Sequence, residues 1–270
     1  MLLTWLLSAC SMPTAQPAEA PEQFTQPPSS TPTPTETIQW FPPSATPTPR
    51  PTRTAIPTTD WRPGVGAAIL IDDFSSQESW QSGQRESGNI AFGSQQLNLA
   101  VSAARGYLYS LRSEPSLGDF YLEITASPNL CRGEDTYGLI LRASDAFSYY
   151  RYAVNCSGMV RLEQVRAGSA SVLYDWVLSG QVPIGAPARV RLGVWAYGDE
   201  LRLFVGDVYQ LSATRLGMLE GNIGVFARSE GSSALSVSFS DLVVYTLAAA
   251  PPTATPTTAT SPTAATLPTR

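Results

Sequence analysis

The chain of 270 residues contains no histidine and no lysine, so all 17 of its basic residues are arginine. Each absence removes a chemistry. Without imidazole there is no His general base, no His metal ligand and no Ser/His/Asp or Cys/His nucleophile, and without an ε-amine there is no Schiff base. Charge is sparse as well: charged residues make up 14% of the chain and sum to −5 at pH 7. The arginines are scattered, which argues against nucleic acid, a partner that requires a clustered basic face. Proline is scarce in one region in particular. Of the 23 prolines, only Pro115, Pro128, Pro183 and Pro187 fall between Ala67 and Leu247, and that middle stretch is long enough to bury one sizeable core.

The two ends read differently. The apolar run Leu2, Leu3, Trp5, Leu6, Leu7 is too short to span a bilayer, which needs about 20 residues, but it suits the apolar region of a secretory signal. Its ending, Leu7-Ser8-Ala9-Cys10, has the form of a bacterial lipoprotein box, with Cys10 lipidated after cleavage. The other reading is an accidental Cys after a truncated signal. Residues 11–66 are rich in Pro and Thr, cannot pack a core, and are expected to form an extended, partly polyproline II tether. Residues 248–270 repeat that composition as a tail. The expected compartment is therefore extracytoplasmic, at the surface of a bacterial cell membrane. There, with Cys10 given to lipid, Cys131 and Cys156 are most simply a disulfide; two buried free thiols or one reactive Cys are the alternatives.

Residues 67–247 alternate apolar and polar side chains almost throughout, between Gly, Asn and Ser turns, with no sustained helical period. About a dozen short strands result, from Ile69–Phe74 through Phe120–Ser127, Tyr137–Ala143, Tyr149–Asn155, Val160–Arg166 and Ala188–Tyr197 to Ala234–Tyr245. Hairpin turns are expected at Asn155-Cys156-Ser157-Gly158 and Tyr197-Gly198-Asp199-Glu200. The fold class is all-β, an antiparallel two-sheet sandwich. Alternation also assigns faces. Glu123 points away from Leu122 and Ile124, Arg142 from Leu139 and Leu141, Arg151 from Tyr150 and Tyr152, Glu163 from Leu162, and Trp195 from Val194 and Ala196. If these strands are neighbours, Glu123, Arg142, Arg151 and Glu163 form a charged row beside Trp195. Such a row suits sugars, since Arg and carboxylate groups hydrogen-bond hydroxyls while aromatics stack on the ring. It equally describes a solvated face with cross-strand ion pairs.

The runs Asp72-Asp73-Phe74, Tyr137-Gly138-Leu139-Ile140-Leu141-Arg142, Gly221-Asn222-Ile223-Gly224-Val225-Phe226-Ala227 and Val237-Ser238-Phe239-Ser240-Asp241-Leu242, with Trp80, Tyr149-Tyr150 and Leu203-Phe204-Val205-Gly206, resemble the concanavalin A-like lectin/glucanase superfamily. The resemblance is to its laminin G-like and 3-keto-disaccharide hydrolase-like branch. It implies a jelly-roll sandwich with a gently concave sheet that meets sugar or protein in many relatives. Retaining glycosidases of the superfamily carry Glu-x-Asp-x-x-Glu on one strand, which sets two carboxyl groups about 5 Å apart. This chain lacks that pattern. Glu134-Asp135 makes a poor acid/base couple because adjacent side chains diverge. That pair, or Asp72-Asp73, is a candidate for calcium, which prefers oxygen ligands, though neither has an EF-hand spacing and no cofactor is expected. Trp80 and Trp176 are expected to anchor sheet to loop in the interior.

The expectation is thus a monomeric, non-catalytic, membrane-tethered binding module for a glycan or an envelope protein, using Glu123, Arg142, Arg151, Glu163 and Trp195. A glycoside hydrolase or keto-disaccharide-processing enzyme of the same fold is one alternative. A structural subunit of an envelope complex is another.

Overall fold

The computed structural model describes residues 59–248. Cys10, the signal at 1–10, nearly all of the tail at 248–270 and the greater part of the linker at 11–66 lie outside the described residues. Those described form strands and no helix: β1 (Val65–Asp72), β2 (Gly83–Arg85), β3 (Gly88–Gly93), β4 (Gln96–Val101), β5 (Tyr107–Leu111), β6 (Phe120–Leu130), β7 (Thr136–Asp145), β8 (Ser148–Asn155), β9 (Met159–Arg166), β10 (Ser169–Leu178), β11 (Val190–Tyr197), β12 (Glu200–Val205), β13 (Val208–Ala213), β14 (Asn222–Arg228) and β15 (Leu235–Leu247). A nine-stranded sheet runs β13-β12-β11-β6-β15-β4-β3-β2, with β1 on β15, and a six-stranded sheet runs β10-β9-β8-β7-β14-β5. All pairings are antiparallel. This is the expected two-sheet sandwich.

Strands β8 and β9 occupy the spans that alternation marks to within one residue, and both expected hairpins close, β8 onto β9 and β11 onto β12. Three strands escape the pattern. β2 is too short and exposed to alternate, β3 begins and ends in Gly, and β13 follows β12 through the two-residue turn Gly206-Asp207. Both turn residues have positive φ, as a tight hairpin turn requires.

The core lies between the sheets. Leu122 and Ile124 of β6, Val194 of β11 and Leu203 of β12 meet Leu139 and Leu141 of β7, Tyr152 of β8 and Leu162 of β9, all essentially excluded from solvent. Such side chains contribute roughly 1.5–3 kcal/mol each on burial. Several ties cross the sandwich, two of them next to this core. The Tyr152 hydroxyl donates to the Phe204 carbonyl at 3.0 Å, which satisfies a phenol that burial would otherwise penalise. A disulfide joins Cys131, just past β6, to Cys156, just past β8, with Cα atoms 5.8 Å apart. Gly138 shows why β7 carries a glycine: φ is +153°, and a Cβ there would lie 2.1 Å from the Tyr152 carbonyl oxygen.

Two features depart from a simple alternating sandwich. At the end of β7 the register slips between Leu141 and Asp145, and Arg142 adopts φ +50°. This bulge takes Arg142 off the period. Instead of standing on a sheet face, its fully buried guanidinium donates to the carbonyls of Gly198 (2.8 Å), Gly118 (2.9 Å) and Met218 (3.3 Å) and lies 3.9 Å from Asp119. It fastens three loops.

The second departure is at the start. The folded unit reaches back past the expected boundary at residue 67, because Trp61, Arg62 and Pro63 lie across the outer face of the nine-stranded sheet as a strap. Trp61 stacks on Tyr209, Arg62 lies over the rings of Tyr121 and Phe204, and the Pro63 carbonyl accepts from Trp195. The Pro-rich composition hid partners that come only from distant strands.

Candidate functional site

The charged row expected across one face is divided by the topology. Glu123 and Trp195 belong to β6 and β11 of the nine-stranded sheet, Arg151 and Glu163 to β8 and β9 of the six-stranded sheet, and Arg142 to neither face. Glu123 is buried under the strap, where it accepts from the Tyr121 hydroxyl at 2.7 Å and pairs with Arg191. Trp195 does oppose Val194 and Ala196, but it is 3% exposed: Arg202 covers its ring at 4.3 Å, and its indole N–H donates to Pro63 at 3.0 Å. Those two residues hold the strap.

The outer face of the six-stranded sheet is where chemistry gathers. Alternation in β8 sends Tyr150 and Tyr152 to the core and Arg151 outward; in β9 it sends Leu162 inward and Arg161 and Glu163 outward. Pairing places Arg151 directly opposite Glu163. Arg151 Nε donates to Glu163 Oε2 at 2.6 Å, and Arg161 approaches Oε1 at 2.5 Å, so the carboxylate is gripped from two sides. Arg151 also lies over the rings of Phe226 (5.5 Å) and Tyr107 (5.8 Å), and Arg161 over Trp176 (5.4 Å). Burial acts to lower the Arg151 pKa, but Glu163 and Tyr107 outweigh it and the net shift is upward. The neighbouring Tyr107 phenol, 3.2 Å from that of Tyr149, is pushed well above its usual range by burial and then by Tyr149. It remains a neutral hydroxyl. Arg161 Nε is buried and has no acceptor among the described residues, leaving a strong donor unspent.

These groups line a cavity of about 470 Å³, with Arg151, Arg161, Glu163 and Trp176 beside Arg228, Glu134 and Glu230. The hollow continues across the sheet. A smaller one of about 260 Å³ shares Arg151 and Arg228 with it, and another of about 460 Å³ shares Tyr107 and adds Tyr109, Gln81 and Arg85. Within the largest, the three arginines balance the three glutamates, so the site has no net charge with which to select an ion. It offers planar donors, carboxylate acceptors and aromatic faces, the complement of a polyhydroxyl compound.

Trp176, expected inside, stands on this outer face. In β10 the pairing slips twice, so Val172 lies opposite outward Glu163 but Tyr174 opposite inward Leu162, and period two cannot assign Trp176. The aromatic flank is legible in the sequence, since Tyr107, Tyr109 and Leu111 alternate with Leu108 and Ser110. The calcium candidates have other work. Asp72 caps the Phe74 N–H at 2.9 Å and accepts from Trp80 Nε1 (2.9 Å) and Arg112 (3.2 Å), which anchors Trp80 in the core as expected. Asp135 is buried and accepts from the backbone N–H groups of Arg132 (3.2 Å) and Glu230 (3.0 Å). Among the described residues no three His, Cys, Asp or Glu side chains gather as a metal nest.

No family model matches this chain. Nor does any curated protein. Among solved structures it is similar to a Bacillus subtilis protein of unknown function with a galectin-like fold, at 12% identity and TM-score 0.50 over 67% of this chain and 96% of that one. It is also similar to the carbohydrate recognition domain of Emp47p, at 12% identity and TM-score 0.50 over 71% of this chain and 100% of that one. Carbohydrate-binding module CBM66 from Bacillus subtilis aligns at 20% identity and TM-score 0.47 over 62% of this chain and 96% of that one. The fold is thus a galectin-like two-sheet β-sandwich, in keeping with the jelly roll that the sequence resemblance implies.

Proposed function

We propose that this chain is a non-catalytic binding module that takes a neutral glycan on the outer face of its six-stranded sheet, at Arg151, Arg161, Glu163 and Trp176. The observation that carries the reading is the Arg151–Glu163–Arg161 array, with Arg151 and Glu163 buried and Arg161 half-buried, beside Trp176 in a cavity of about 470 Å³. Holding a guanidinium array rigidly is worthwhile where a ligand needs oriented donors. The likeness to a carbohydrate recognition domain is in keeping with this. Binding is favoured over hydrolysis because both Glu163 oxygens are engaged by arginines, leaving neither free for a general acid's proton. Localisation is part of the proposal: Cys10 carries the lipid, and the Pro/Thr-rich segment holds the domain away from the membrane.

The test is a glycan array followed by calorimetry on the best glycan, with release of reducing ends assayed in parallel. Saturable binding without product, weakened about tenfold or more by Trp176→Ala, is expected. Product release would install the hydrolase instead. A protein partner in the envelope is the second reading, favoured by exposed apolar side chains on and near the edge strand β10, among them Leu178, Ile184 and Phe147. It predicts a silent array and a specific crosslink.

A further inference from the structure

The strap on the opposite sheet is seated in the manner of a bound peptide. Trp61 stacks on Tyr209 with ring centroids 4.2 Å and planes 15° apart, while its carbonyl accepts from Arg202 at 3.1 Å. Arg62 lies 5.4 Å above the Tyr121 ring and 5.5 Å above that of Phe204, and it donates to the Tyr121 hydroxyl at 2.9 Å and to Asp207 at 2.6 Å. The Pro63 carbonyl accepts from Trp195 Nε1 at 3.0 Å. Ladder pairing begins only afterwards, where the Gly64 carbonyl accepts from Ala248 and Val65 pairs with Leu247. Every contact that seats residues 61–63 on the sheet therefore involves a side chain of the cradle. Main-chain carbonyls fix the register, an aromatic platform takes the indole, and an acidic, π-rich slot takes the guanidinium. Trp61 nonetheless stays 43% exposed, so the strap rests in a groove and is not built into the core.

We propose that the outer face of the nine-stranded sheet is a second binding site, for a peptide segment bearing Trp-Arg-Pro, which the chain fills with its own residues 61–63. Its ligand chemistry is set by Tyr209 for the aromatic residue, Asp207 and Glu123 with Tyr121 and Phe204 for the arginine, and Trp195 with Arg202 for the two carbonyls. The site is separate from the glycan face and does not depend on that reading. A segment tethered through a short connection acts at an effective concentration of the order of millimolar, so even a cradle of modest affinity stays closed. A peptide in trans must then compete with the strap.

The test uses the full chain and the peptide Thr-Asp-Trp-Arg-Pro-Gly-Val, the sequence of residues 59–65. The double variant Trp61→Ala/Arg62→Ala vacates the aromatic platform and the guanidinium slot, weakens the strap's hold to its two carbonyl contacts, and leaves the cradle residues unchanged. By competition it should bind the peptide with saturation, about tenfold or more tighter than the wild-type chain does. Adding Tyr209→Ala should abolish that binding, and a peptide with Ala in place of Trp and Arg should not bind. Because loss of the strap could itself unsettle the fold, Gly64→Ala is the second variant. A Cβ there meets the Ala248 carbonyl oxygen at 2.4 Å where φ is +77°, which displaces the strap's exit without changing strap or cradle side chains. It should raise peptide affinity in the same direction. A folded variant that does not bind the peptide, or wild-type and variant chains that bind it equally, would show the strap to be ordinary packing and overturn the proposal.

Discussion

Arg142→Ala is expected to destabilise the domain by about 3 kcal/mol, where a surface arginine would cost almost nothing. The guanidinium makes two close bonds, to the Gly198 and Gly118 carbonyls at 2.8 and 2.9 Å, and a longer one to Met218 at 3.3 Å. Hydrogen bonds to a charged group contribute roughly 1.5–3 kcal/mol each, so the close pair alone is worth about 3–6 kcal/mol. Two effects reduce that. Removing the arginine relieves the burial that drags its pKa down, and the Gly198 residue is exposed enough for water to reach its freed carbonyl. For a domain of this size a loss of about 3 kcal/mol lowers Tm by about 6–12 °C. Arg142→Gly should be milder than Arg142→Ala by about 1 kcal/mol, because φ is +50° at this position and glycine tolerates the left-handed region. Thermal and urea unfolding of the three proteins, followed by circular dichroism, measure both differences. A Tm for Arg142→Ala within about 2 °C of wild type would mean that the three loops do not depend on the arginine, and would refute the clamp.

Other expectations concern separate parts of the molecule. Non-reducing peptide mapping should recover one linked pair, Cys131 with Cys156, and Cys131→Ser/Cys156→Ser should lower stability by roughly 3 kcal/mol for closure of a loop of this length; unchanged unfolding would contradict the inter-sheet tie. Trp176→Ala should leave Tm within a few degrees, since Trp176 is half-buried on an edge strand, while weakening glycan affinity by about 1.4 kcal/mol or more, the tenfold loss given above; calorimetry beside a thermal scan separates the two effects. Cys10→Ala should release the protein from membranes and abolish labelling by a fatty-acid analogue, because acyl chains are what hold such an anchor; a wild-type chain that takes up no label would refute lipidation.

Local sequence determined which way side chains point wherever the strand is regular. A residue on a pleated strand alternates with its neighbours whatever the rest of the chain does, so Tyr152 and Leu162 had to oppose Arg151 and Glu163, and Val194 had to oppose Trp195. The turn residues between β8 and β9, and between β11 and β12, likewise declare their hairpins, and the missing histidine and lysine limit the chemistry in any fold. Alternation does not say which sheet a strand joins. Glu123 and Glu163 occupy equivalent outward positions on their strands, yet β6 pairs with β11 and β15 while β9 pairs with β8 and β10, so one acid lies beneath the strap and the other beside Trp176. That division is a matter of long-range pairing. The remaining surprises have the same origin: a bulge turns Arg142 from the face into the loops, two slips in β10 free Trp176 from its period, and Trp61-Arg62-Pro63 finds its partners only on β6, on β11 to β13 and in the turn at Asp207. Contacts of that range depend on where distant strands come to lie, and only the tertiary structure fixes that.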